Sequence, residues 1–107
     1  MIYLASPYSN PDPAVVLFRY LETRKYTAKR IAEGVPLFSP IVHCHELAVN
    51  HDLPTDFAFW QTYNEAILRR ALALVVLQLD GWVDSKGVRG EIEFAQKYNI
   101  PVSYVDP

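Results

Sequence analysis

Along this chain short unbroken apolar runs alternate with longer stretches in which apolar residues recur every three or four positions. The first kind reads as strands and the second as helices. The run Ala73–Leu79, broken only by Gln78 and rich in valine and leucine, is apolar on both faces. That is the signature of a central strand in a parallel sheet. Ile2–Ala5, Val35–Phe38 and Ile100–Val105 read as three further strands. Between them, Asp12-Pro13 opens a helix that runs to Glu33, with Gly34 as its stop. Leu17, Leu21, Ala28, Ile31 and Ala32 give this helix its apolar face. Arg19, Arg24, Lys25, Lys29 and Arg30 fall mostly elsewhere, as a solvated face or an oligomer rim without catalytic role. Thr55 or Asp56 caps a second helix to about Arg70, with Trp60, Tyr63, Ile67, Leu68 and Ala71 as its buried stripe and Asn64 among them. A third starts at Ser85 and ends near Tyr98. The segment from Ile41 to Asp56 is the least regular part of the chain. Strand and helix alternation predicts an α/β three-layer sandwich with a four- to five-stranded parallel sheet in the flavodoxin-like order 2-1-3-4.

On the last helix Val88, Ile92, Ala95 and Asn99 mark the stripe turned to the sheet. Glu91 falls inside that stripe, whereas Glu93 points roughly the other way. A carboxylate aimed inward beside the C-terminal edge of a parallel strand stands where open α/β sheets bind ligands. The plain alternative is that Glu91 complements the helix dipole, which an exposed glutamate would do without a burial cost. The loop Ser6–Pro11 follows the first strand with small hydroxyl residues and prolines but no glycine, so it is neither a Walker A loop nor a GxGxxG turn. It reads equally as a phosphate- or ribose-holding loop or as an ordinary turn.

At 107 residues the chain makes one domain, 1–107, and with half its residues apolar the composition is that of a soluble globular protein. A formal charge of −2 leaves no electrostatic footprint for a nucleic-acid polymer. No apolar run is long enough to span a bilayer, and MIYLASPY lacks the basic start of a signal peptide. The single Cys44 excludes an internal disulfide and fits a reducing cytoplasm. His43, Cys44, His45, Glu46, His51 and Asp52 invite a metal reading, but HCHE is not HExxH and no CxxC exists. A substrate-contacting loop is the better reading, with His43 its leading residue because it lies nearest the strand end. No cofactor is expected.

Two segments resemble the nucleoside 2-deoxyribosyltransferase superfamily, including its nucleotide N-glycosidase branch. IYLASPY, with Ser6 and Tyr8, is similar to that family's first strand and loop, and Ser85-x-Gly87…Glu91-Ile92…Ala95 is similar to its S-x-G-x-x-x-E-[IL]-G-x-A pattern. The resemblance implies a Glu91 nucleophile at the anomeric carbon, with Tyr3 hydrogen-bonded to it. Ser85, six residues before Glu91, matches a serine that binds a 5′-phosphate in the N-glycosidase branch, where the nucleoside transferases carry an aspartate. It also implies a small-molecule nucleoside or nucleotide as ligand, and a homodimer or higher oligomer. Two positions depart from the pattern. Asn64 stands where the family carries an acidic aspartate, so that either Asp80 or Asp84 takes that role, or the leaving base differs, or the chemistry is lost, and Glu93 replaces a glycine. Tyr8 and Trp82 are the aromatic rings available to stack on a base. The competing readings are an N-glycosidase or transferase, a non-catalytic nucleotide-binding module, and an assembly subunit.

Overall fold

The computed structural model describes all residues from Met1 to Pro107. Its elements in chain order are β1 (Ile2–Ala5), α1 (Pro13–Ala32), β2 (Leu37–Phe38), α2 (Pro40–Asn50), α3 (Phe57–Leu68), β3 (Ala73–Leu77), α4 (Lys86–Lys97) and β4 (Val102–Val105), with one 3-10 turn at Trp82–Asp84. The four strands form one sheet in the order β2-β1-β3-β4, and every pairing is parallel. The three-layer α/β sandwich in the order 2-1-3-4 is therefore borne out, with four strands.

Side chains leave β1 and β3 alternately on the two faces of the sheet. Tyr3, Ala5, Leu74 and Val76 join Leu68 of α3 and Val88 and Ala95 of α4 in the larger core. Leu4, Leu77 and Leu79 form the smaller one on the opposite face, with Tyr26 of α1 packed against them. Each such leucine or valine, fully buried, contributes about 1.5–3 kcal/mol. Each helix is capped at its start by a side chain. Asp12, Ser39, Asp56 and Ser85 accept from the backbone N–H of Ala14, Val42, Phe59 and Val88, worth about 1 kcal/mol apiece.

Five expectations about the elements need correction, one of them the buried stripe of α3, in which Tyr63 is 44% exposed. The segment read as irregular is largely α2, opened by Ser39 as cap and Pro40 at the first helical position. β2 has two residues rather than four. On α1 the buried residues are Tyr20, Thr23 and Thr27, while Leu17, Leu21 and Ile31 are 50%, 41% and 54% exposed. Threonine can take the inner face because each hydroxyl is satisfied within the helix: Thr23 donates to the Arg19 carbonyl and Thr27 to that of Thr23, both at 2.7 Å. Asn99 is not part of the buried stripe; it is exposed and follows the helix in the left-handed region at φ 56°. No helix is long and apolar enough to cross a membrane.

Candidate functional site

Parallel pairing sends the chain out of every strand at the same edge of the sheet, so the segments after β1, β2 and β3 converge there. They enclose a cavity of about 310 Å³. Ser6, Tyr8 and Ser9 line it from the first loop, Ile41, Cys44, His45 and Ala48 from α2, and Phe57, Trp60 and Asn64 from α3. Asp84, Ser85, Gly87 and Glu91 complete the wall.

The mouth loops are tied together by polar contacts. Arg19 donates to the backbone carbonyls of Tyr8 at 3.4 Å, Ser9 at 2.9 Å and Asp80 at 3.3 Å, joining the first loop to the turn after β3. Gly81 makes that approach possible: its φ is +91°, and a Cβ there would lie 2.4 Å from Arg19 Nη2. Ser9 donates to the Thr55 carbonyl at 2.8 Å, which fastens the same loop to the start of α3. On the far wall the tip of the Phe57 ring closes on α4, where a Cβ at Gly90 would stand 2.5 Å from it.

At the floor, the fully buried Tyr3 donates its hydroxyl hydrogen to Oε2 of Glu91. Glu91 is only 6% exposed. Burial pushes its carboxyl up to about 8, against the hydrogen bond from Tyr3, which acts the other way. Burial likewise holds the Tyr3 hydroxyl well above its ordinary range, with the nearby Glu91 adding to the effect. Glu91 is the sixth residue of α4, beyond the first turn in which the dipole is felt, and desolvation wins. Its second oxygen has no hydrogen-bond partner in the chain, yet only Asn64 Oδ1 is both buried and unpartnered, so that oxygen is open to the cavity's solvent.

Ser85 caps α4 through Val88 N–H at 3.2 Å and lines the cavity beside Gly87. The leading N–H groups of α4 therefore sit at the cavity wall. Asp84 is exposed and stands on the rim. Asn64 reaches the wall, but its Oδ1 is sealed without a hydrogen-bond partner.

Three residues singled out in the sequence stand elsewhere. Asp80 is exposed and is not among the lining residues. The Trp82 ring turns to Tyr104, with centroids 5.6 Å apart, and packs against the larger core. His43 lies on the exposed side of α2, its Nε2 3.0 Å from the Tyr63 hydroxyl. One helical residue pair further, His45 faces inward instead, with Nδ1 2.6 Å from the Tyr8 hydroxyl. No group of three His, Cys, Asp or Glu side chains is gathered so as to hold a metal. His45 was missed because α2 was missed. The signal was present: Ile41, Cys44, His45 and Ala48 recur at helical spacing after a Ser-Pro start.

Among known protein families, the model of the Domain of unknown function (DUF1937) matches residues 1–106. A search of curated proteins finds no match.

Proposed function

The chain belongs to the DUF1937 family over residues 1–106, and from that premise we propose that it is an enzyme cleaving the N-glycosidic bond of a nucleoside or nucleoside 5′-monophosphate. The observation that carries the proposal is the pair at the cavity floor: an inward carboxyl held by a buried tyrosine hydroxyl, with a helix N-terminus in the same wall. The resemblance to the deoxyribosyltransferase superfamily names this arrangement, and the geometry fits its chemistry. Cleavage builds oxocarbenium character at the anomeric carbon, which an adjacent carboxylate stabilises or traps as a glycosyl ester. Tyr3 fixes the carboxyl, leaving the other oxygen free to attack. Free N–H groups at the start of α4, with the Ser85 hydroxyl, suit a 5′-phosphate. Water or a second base then accepts the sugar.

Chromatography of free base released from a panel of nucleosides and their monophosphates tests this reading. Glu91→Ala should lower the rate by several orders of magnitude, roughly 10³-fold or more, because it removes the nucleophile. Glu93→Ala, on the exposed side of α4, should change it little; equal losses would end the assignment. Since the attacking form is the ionised one, the rate should climb with pH and level off near the Glu91 value of about 8.

A non-catalytic nucleotide-binding module is the second reading. It is favoured by Asn64, an amide that cannot supply the leaving base with a proton, and by the position of Asp80 outside the cavity. Ligand binding without base release would establish it. Assembly into a homodimer or larger oligomer belongs to the same proposal. Leu17, Phe18 and Leu21 on α1 and Phe59 and Tyr63 on α3 are among the large apolar side chains left exposed. Sedimentation at micromolar concentration should show more than a monomer, and a uniform 12.2 kDa species would refute it.

A further inference from the structure

Tyr8 and His45 form a second polar pair in the cavity wall, and nothing in the proposed reaction has yet used it. The His45 ring is held from three directions. Its Nδ1 meets the Tyr8 hydroxyl at 2.6 Å. One face stacks on Tyr20, with centroids 3.9 Å apart and planes 19° from parallel. The Tyr8 ring stands edge-on to it at 5.6 Å and 88°. Tyr8 is itself fixed, since Arg19 holds its backbone carbonyl and that of Ser9. A packing histidine needs none of this alignment. The remaining nitrogen, Nε2, has no partner in the chain and is not sealed from solvent. The ring therefore presents one anchored and one free nitrogen, in a cavity whose floor is the Glu91 carboxyl.

We propose that His45, oriented by Tyr8, is the general base that activates the acceptor in the second half of the reaction. The inference rests on Glu91 as nucleophile and adds the residue that releases the sugar from it. With Nδ1–H donated to the Tyr8 oxygen, Nε2 carries the lone pair. When the sugar is esterified to Glu91, a water O–H breaks and its proton goes to Nε2. The water oxygen forms a bond to the anomeric carbon, and the bond from that carbon to the Glu91 oxygen breaks, restoring the carboxylate. The imidazolium then gives its proton to solvent, so charge and atoms balance. A heterocyclic N–H acceptor would lose its proton to the same nitrogen. Burial lowers the pKa of His45 despite the opposing effect of Glu46, which keeps the ring in its basic form at neutral pH.

The test separates the two half-reactions. His45→Asn should release about one equivalent of free base in a burst and then slow by on the order of 10²–10⁴-fold, the range for removing a general base. Intact-mass spectrometry should find the sugar attached to the protein and peptide mapping should place it on Glu91. Sodium azide, a nucleophile with no proton to lose, should restore turnover and yield the glycosyl azide. Tyr8→Phe should show the same pattern more mildly, and thermal denaturation checks that both variants are folded. His45→Asn turning over at the parental rate without an adduct would overturn the role of His45 and leave that of Glu91 intact. Loss of the burst together with no azide rescue would also overturn it, since the ring would then serve structure or the first step. If the unaltered protein releases no base, or Glu91→Ala is as active as the parent, it is the proposed reaction itself that fails.

Discussion

Replacing Glu91 by glutamine tests the burial argument without any substrate. The side chain keeps its shape, and its carbonyl oxygen can still accept from the Tyr3 hydroxyl, but it can no longer ionise. In the folded protein the Glu91 carboxyl is raised from 4.5 to about 8, chiefly by desolvation. Between those two values the folded state holds a proton that the unfolded chain has released, so stability falls as pH rises across the window. At 1.36 kcal/mol per unit, the full span amounts to roughly 4–5 kcal/mol. That is a large part of the 5–15 kcal/mol by which a domain is typically stable. Below about pH 4.5 the two proteins should be nearly equally stable. The glutamine variant should gain steadily with pH and hold a constant advantage above about 8. Urea denaturation of both proteins at intervals from pH 5 to 9 measures the difference, and the other titrating groups cancel in it. A pH-independent difference, or an advantage that shrinks as pH rises, would refute the claim that the native site penalises the charged carboxylate.

Two further outcomes follow from neighbouring residues. Ser85→Asp should weaken a nucleoside monophosphate more than its nucleoside, and Ser85→Ala should do so less, because charge-assisted hydrogen bonds are worth about 1.5–3 kcal/mol and a carboxylate there repels the phosphate; calorimetry showing equal affinity of the parent for both ligands would reduce Ser85 to a helix cap. Asn64→Leu should raise the denaturation midpoint, since it removes a sealed acceptor without a partner, worth about 1–3 kcal/mol, and a lower midpoint would mean that the amide is satisfied.

What the sequence made legible and what it did not divide along physical lines. β1, β3, the Ser85 cap and the inward direction of Glu91 could be read because each depends on a local pattern: an apolar run, a capping hydroxyl, a helical spacing. Helix α2 is not legible in the sequence because a Ser-Pro pair after a short apolar run ends a strand as readily as it opens a helix, the role that Asp12-Pro13 plays for α1. The face of α1 was misjudged for a different reason. Thr23 and Thr27 satisfy their hydroxyls on the preceding turn, a device that hydrophobicity counting cannot see. Residue type points to Trp82 and nearness to the strand end points to His43, but which way a ring turns depends on partners such as Tyr104 and Tyr63 that lie about twenty residues away in sequence. The orphaned oxygen of Asn64 had no sequence signal at all.

The all-parallel order of the sheet also bears on how the chain reaches this state. β1 lies between β2 and β3, so the earliest of these four strands along the chain is an inner one, and no pair of strands is joined by a hairpin. Its register with β3 pairs Ile2 with Ala73 and Ala5 with Val76, and Tyr3 meets Glu91 only across 88 residues. Loops of that length must close before the contacts they permit can repay the lost entropy. On the ribosome, β1 therefore waits with one edge bare until β3 has emerged, long after α1 is free to form. A chain cut short before β3 leaves Tyr3 with β2 alone as a neighbouring strand and without the Glu91 carboxyl to hold.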